Sequence, residues 1–367
     1  MITNTRSSVR KRIAIFIPTF AGGGAESAMV TLAQALSEKG YFVDFIVKKA
    51  AGELVTRVPS GVNIIDFHVP AMKHTLSKLV KYINNHDPSV IISALELPNV
   101  VSVLARMLAK HKPEIIISIH GIISKQNPIY HKWFDRMIFK LLYPKADHIV
   151  SVSNSCAQDA VQYLNLRQSK ISVIYNPVIN NDFYKKSREQ QKFLYQETRN
   201  FKKILSIGRL EDVKDHQSLL LAFKEIQKKY FSKLIILGEG SAREKISQCL
   251  DEMSLGNDVI MPGFIDNPLP IIKEADVLVN ASKHESFSIV IVEALACHCP
   301  VVSTACGGPE EILANGKYGH LVPIGDHKAI ADAIEKVFKG DLRLANPEWL
   351  DQFSIETSVQ KYINLLS

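Results

Sequence analysis

Two glutamates, Glu285 and Glu293, bracket the densest chemistry in the chain, His284-Glu285-Ser286-Phe287-Ser288-Ile289-Val290-Ile291-Val292-Glu293-Ala294-Leu295-Ala296. A carboxylate accepts two hydroxyl donors at once, which is what a ribose diol or a sugar ring presents. The Ser286 to Ser288 amides lead into an apolar run, so they would form a helix N-terminus, a place for a phosphate or for hydroxyls. A second group, Gly208-Arg209-Leu210 with Lys214, puts two cations around one loop. Arg supplies a planar fork and Lys a compact point charge, a pair able to grip a diphosphate from two directions. In a third, Gly22-Gly23-Gly24-Ala25-Glu26, glycines between a strand and a helix let backbone N–H groups approach an anion. That motif half-matches a dinucleotide fingerprint, with Ser27 where a third glycine would stand, and a plain tight turn satisfies it equally.

Metal chemistry is not expected. Cys297-His298-Cys299 with Cys306 lacks the paired spacing of zinc sites, and no D-x-D motif occurs anywhere to supply carboxylate ligands. The five cysteines are odd in number and scattered, which speaks for reduced, buried thiols and against a disulfide framework.

The elements that must carry these groups are short β-branched runs alternating with helix-length amphipathic stretches, the pattern of parallel sheets built from βαβ units. Strands are predicted at 13–17, 42–47, 62–67, 90–93, 115–119, 148–152 and 171–174, with helices such as 25–39 and 99–110 between them. A polar stretch over 180–202 reads as a linker and mobile loop. Strands resume at 204–207, 234–237, 259–261, 277–279, 301–303 and 321–322. The fold class is α/β, with two Rossmann-like doubly wound domains facing a cleft, and ligands are expected at the carboxyl edges of the sheets.

A chain of 367 residues fits two domains, each able to bury its own core. Apolar residues make up 46% and charged residues 22%, a globular balance that excludes a disordered chain, and no apolar run reaches the roughly 18 residues of a membrane span. The expected location is therefore the cytoplasm. Charge is uneven: residues 1–180 hold 21 Lys and Arg against 11 Asp and Glu, net +10, whereas the remainder is net −3. A basic first half suits contact with something anionic, a phosphorylated lipid, an acidic membrane surface or nucleic acid, and is equally compatible with a merely solvated basic surface. Nucleic acid is not favoured, since no reading module is recognisable.

Taken together, these residues resemble the retaining glycosyltransferases of family 4 (glycosyl transferases group 1), which have the GT-B fold. The likeness covers nearly the whole chain: the Gly-Gly-Ala-Glu entry, His120-Gly121, Tyr175-Asn176-Pro177, Gly208-Arg209-Leu210 with Lys214, Leu237-Gly238-Glu239-Gly240, Glu285 with Glu293, and Gly307-Gly308-Pro309-Glu310-Glu311. It implies an acceptor-side domain over 1–180 and a nucleotide-sugar donor domain over 200–350. A helix at about 350–367 would cross back onto the first domain. It also implies that Glu293 holds the ribose hydroxyls, that Gly208, Arg209 and Lys214 hold the diphosphate, and that Glu285 with Ser286, Phe287 and Ser288 holds the transferred sugar. Gly23 and Gly24 would lie near the phosphates, and His120 would position the sugar. The implied co-substrate is a nucleotide sugar, UDP-linked, with no cofactor and no metal. The implied acceptor is a glycan or lipid-linked glycan of bacterial surface polysaccharide. Ser27 and Ser286 depart from the family pattern, which commonly has Arg and Gly there.

Other readings compete with this one. A glycosidase would need Glu285 and Glu293 to flank a bond across a groove. A nicotinamide oxidoreductase leaves the second half's motifs unexplained. A sugar-nucleotide epimerase of the same form would turn over free UDP-sugar without an acceptor, and a non-catalytic binding subunit would bind UDP without transfer. One surface feature stands apart from the site. Lys132, Arg136 and Lys140 share one face of a predicted helix, with Trp133, Met137 and Leu141 beside them, and such a helix can lie on an anionic membrane or pack its Trp133 side into the core. Lys73 to Lys81 forms a second basic candidate.

Overall fold

The computed structural model describes residues 11–125, 132–180, 182–189 and 201–366. They divide into two compact units, Met1–Pro177 with Ile355–Ser367, and Val178–Ser354.

In the first unit the strands are β1 (Arg12–Ile17), β2 (Phe42–Val47), β3 (Val62–Asp66), β4 (Val90–Ala94), β5 (Glu114–Ile119), β6 (His148–Ser151) and β7 (Ile171–Val173). They are parallel, in the order β3-β2-β1-β4-β5-β6-β7. The helices are α1 (Gly24–Glu38), α2 (Thr75–His86), α3 (Glu96–Leu108), α4 (Lys132–Leu142) and α5 (Asn154–Leu164). The central strands β1, β4 and β5, covered on both faces, are accordingly written mainly in Ile and Val, whereas the edge strand β3 is partly exposed. Ile13, Ile15 and Ile17 face α1 through Met29, Leu32 and Leu36, while Ala14 and Phe16 face the opposite side with Leu79, Ile83 and Val103.

The second unit begins with a short helix, α6 (Phe183–Lys186), in the stretch expected to be a linker. Phe183 and Ser187 are buried, and the Asn267 amide donates to the Lys186 carbonyl and the Glu189 carboxylate, so 182–189 is part of this unit. The polar sequence hid one apolar anchor; residues 190–200 of the expected loop lie outside those described. The strands β8 (Lys202–Ile207), β9 (Ser232–Leu237), β10 (Val259–Gly263), β11 (Val277–Asn280), β12 (Val301–Thr304) and β13 (His320–Val322) run parallel in the order β10-β9-β8-β11-β12-β13. The helices are α7 (His216–Gln227), α8 (Arg243–Met253), α9 (Leu269–Glu274), α10 (Ile289–Ala296), α11 (Gly308–Ile312), α12 (His327–Phe338) and α13 (Pro347–Leu350). Asp326 caps α12 by accepting from the Ala329 N–H at 3.0 Å.

The last helix, α14 (Ile355–Leu365), belongs to the first unit, where Val359, Tyr362 and Leu366 enter the α1 side of the core. Ser358 donates to the Tyr175 carbonyl at 2.9 Å and Lys11 to the Leu366 carbonyl at 2.6 Å. Among the described residues no helix is long and apolar enough to cross a membrane.

Candidate functional site

In an open parallel sheet the strand order reverses at one place, and the loops there diverge to leave a crevice. In the second unit that place lies between β8 and β11, and the loops leaving those strands carry the two main groups of candidate residues. Gly208 follows β8 and donates its N–H to the Leu237 carbonyl at 3.0 Å. A tight turn over Asp212–Lys214 then leads into α7, with Asp215 left-handed at φ 49°. The β11 loop is stitched to this turn by the Lys283 N–H, which donates to the Val213 carbonyl at 2.8 Å. The side chains meet as well. Lys214 Nζ donates to Glu285 Oε2 at 2.5 Å, and Ser282 Oγ donates to the same oxygen at 3.3 Å. Both members of the ion pair are largely buried, where charge interactions are less screened than at the surface.

Glu285 is fixed by its backbone too. Its N–H donates to the Cys306 carbonyl at 3.1 Å and its carbonyl accepts from the Gly308 N–H at 2.8 Å, a short parallel bridge to the Gly307-Gly308 turn. Gly308 must be glycine for that approach, because a Cβ there would lie 2.5 Å from the Ser286 carbonyl oxygen. Ser288 then opens α10, with no side-chain cap, so the first amides of the helix keep donor capacity. Glu293 lies in the second turn of α10, partly buried. The Phe287 ring packs on Phe353 at 6.0 Å between centroids, which leaves its backbone as the part able to meet a ligand. Arg209 is 69% exposed and pairs with Glu211 at 3.0 Å, outside the Lys214–Glu285 pair.

The other sequence candidates lie in the first unit. Gly23 is the N-cap of α1 and Gly24 its first residue; without a Cβ, Gly23 leaves room for the Glu26 carboxylate. His120 follows β5, its Nε2 2.9 Å from Ser118 Oγ. Burial pushes the His120 pKa down to about 4, which keeps the ring neutral at ordinary pH, suited to hydrogen bonding and a poor proton reservoir. Ser118 Oγ lies 3.4 Å from the Tyr362 hydroxyl of α14, and the Ser118 carbonyl accepts from Asn99 Nδ2 at 3.0 Å. Ser118, the residue that His120 bonds to, is thus itself held from two distant parts of the chain, α3 and α14.

The sequence matches two family models over most of its length, Glycosyltransferase Family 4 at residues 22–180 and Glycosyl transferases group 1 at residues 187–348. The chain belongs to the group 1 glycosyltransferases. One similar protein is the Campylobacter jejuni N-acetylgalactosamine-N,N'-diacetylbacillosaminyl-diphospho-undecaprenol 4-alpha-N-acetylgalactosaminyltransferase, 28% identical over 90% of this chain and 91% of that protein. The Bacillus anthracis N-acetyl-alpha-D-glucosaminyl L-malate synthase is 22% identical over 93% and 92%. Among solved structures, Anabaena HepE in complex with UDP-glucose superposes with a TM-score of 0.82 at 19% identity, over 97% of this chain and 99% of that one. A Rickettsia africae glycosyltransferase superposes with a TM-score of 0.81 at 19% identity, covering 98% of each chain. These likenesses, with the two parallel sheets, establish the GT-B fold.

In this glycosyltransferase the structure brings Gly208, Lys214, Glu285 and the Ser286–Ser288 backbone to one corner of the second unit. Sequence reasoning missed Ser282, Ser118 and Tyr362. Ser282 is an ordinary serine in a polar stretch, and Tyr362 stands 244 residues from Ser118, so neither carried a local signal. The Gly307-Gly308 clamp was visible as a motif, but its purpose was not.

Proposed function

We propose that this glycosyltransferase moves a sugar from a UDP-linked donor to a glycan or lipid-linked glycan, with retention of configuration, in building bacterial cell-surface polysaccharide or glycoconjugate. The observation that carries the reading is the Lys214–Glu285 pair at the strand-order reversal, beside the open amides of α10. A donor diphosphate would compete with Glu285 for Lys214. The carboxylate released from that pair can accept sugar hydroxyls, while Glu293 takes the ribose diol. When the bond from the sugar's anomeric carbon to phosphate oxygen breaks, its electron pair stays on the diphosphate. Arg209 and Lys214 are the groups assigned to stabilise that charge. The leaving phosphate can accept the acceptor's proton, so transfer proceeds on one face of the sugar. No divalent cation is assigned a part, since that role is given to Arg209 and Lys214 and the sequence has no D-x-D motif to hold a metal. Gly23 and Gly24 are assigned to the phosphates and His120, neutral, to positioning the sugar. The Campylobacter relative, named for a diphospho-undecaprenol-linked acceptor, and the Anabaena complex with UDP-glucose support the acceptor and donor classes.

Nucleotide release measured across UDP-, GDP- and ADP-sugars, with and without lipid-linked oligosaccharide and with chelator, tests this. Acceptor-dependent, chelator-insensitive release from a UDP-sugar is expected, falling on the order of 10²-fold or more in Lys214→Ala. Acceptor-independent isomerisation of the UDP-sugar would point to an epimerase. A folded Lys214→Ala protein with wild-type turnover would remove Lys214 from the site.

A further inference from the structure

The helix α4, Lys132-Trp-Phe-Asp-Arg-Met-Ile-Phe-Lys-Leu-Leu142, is apolar on two sides, and one of them packs into the core of the first unit. Phe139 is buried in the core with Ile138 and Leu142 packed against it, and Asp135 is buried on the same side. Opposite them, Trp133 is 68% exposed, Leu141 60%, Phe134 42% and Met137 37%. At 100° per residue those four occupy roughly one quadrant, and Arg136 and Lys140 run along its edge. The core therefore did not take the Trp133 side. Arg136 Nε donates to the Tyr163 carbonyl at 2.7 Å and its guanidinium stacks 4.8 Å from the Tyr163 ring, contacts that fix the side chain and leave its charge in place. The Lys132 side chain lies outside the described residues. In the other basic candidate, Lys78 is tied inward to the Phe67 carbonyl, and no comparable apolar row accompanies it.

We propose that the outward face of α4 docks on an anionic phospholipid surface, with Trp133, Met137 and Leu141 in the headgroup layer and Arg136 and Lys140 against lipid phosphates. Tryptophan and long cationic side chains both favour that layer, their apolar parts buried and their polar ends wet. Charge argues for lipid over a second copy of this chain. Two α4 faces in contact would set basic edge against basic edge, on halves that each carry +10 over residues 1–180. The proposal goes beyond the donor and acceptor assignment, and it is tested without either.

The chain has two tryptophans, and Trp349 is held inside by its Nε1 bond to the Ile312 carbonyl, so Trp349→Phe leaves Trp133 as the reporter. Vesicles of phosphatidylcholine with phosphatidylglycerol should shift Trp133 emission to the blue at low salt, and added salt should reverse the shift. Vesicles of phosphatidylcholine alone should give little. In sedimentation with the otherwise wild-type chain, Arg136→Glu/Lys140→Glu and Trp133→Ser/Leu141→Ser should each weaken vesicle binding at least tenfold, with unchanged circular dichroism. Absence of binding to anionic vesicles at low salt overturns the proposal, as does equal binding by both double variants. A self-association abolished by these variants, with no vesicle binding, assigns the face to a second copy and overturns it equally. None of these results bears on sugar transfer.

Discussion

His120 and His216 follow parallel strands in sequence, and in both cases burial holds the imidazole pKa down to about 4, with the charge of Lys214 adding to the effect at His216. Well above pH 6.5 both rings are neutral whether the chain is folded or not. Between 6.5 and 4 the unfolded chain takes up protons that the folded one refuses, so stability must fall as pH falls through that window. Urea midpoints should decline from pH 6.5 to 5, before most carboxylates protonate, and the decline should be shallower in His120→Gln/His216→Gln. A flat wild-type profile would contradict the buried, neutral assignment. The place of His120 after a strand was legible in the sequence. Its protonation was not, because that depends on the protein packed around the ring.

Elements place the donor-site candidates through backbone contacts more than through side chains. Glu285 is held between the Cys306 carbonyl and the Gly308 amide, and α11 packs so closely there that only hydrogen fits on Gly308. Gly308→Ala should therefore cost about 1–3 kcal/mol, as overpacking in a tight contact does, and should weaken UDP binding by displacing Ser286 and Phe287. Gly256→Ala, with open space around its Cα, is the matched control. Urea unfolding and calorimetry with UDP read both effects; equal midpoints for the two variants would show that the clamp tolerates a methyl group. All thirteen strands of the described residues lie within a few residues of their predicted positions, most plainly the central ones such as β1, β4 and β5, which are buried on both faces and written mainly in Ile and Val. The 182–189 segment was misread as linker because one Phe among charges gives no period.

At the scale of the molecule, the chain leaves the first unit at Pro177 and returns to it at Ile355. The return is a core contribution: Val359, Tyr362 and Leu366 are buried among Ile13, Ile15 and Met29. Removing residues 355–367 should destabilise the first unit by about 5 kcal/mol, taking about 1.5–3 kcal/mol for each buried side chain. That is comparable with the roughly 5–15 kcal/mol that holds a domain together. Limited proteolysis should then cut within 11–177 well before it cuts the second unit. A truncated protein as resistant there as the full chain would show that the helix is dispensable. The Tyr362 hydroxyl beside Ser118 also ties this return to the surroundings of His120.

The sequence by itself determined the α/β class, the two-part organisation, the strand positions and the family, since all of these rest on local periodicity and on motifs contiguous in the chain. It also singled out Lys214 and Glu285, though not as partners. Only the tertiary structure decided that these two side chains pair and that Ser282 joins them. The same holds for Tyr362 behind His120 and for the outward turn of Trp133 on α4. The physical reason is common to all four. A side chain's partners are set by which elements the fold brings against it, often tens or hundreds of residues away, and a helix with two apolar sides does not record which one the core will take.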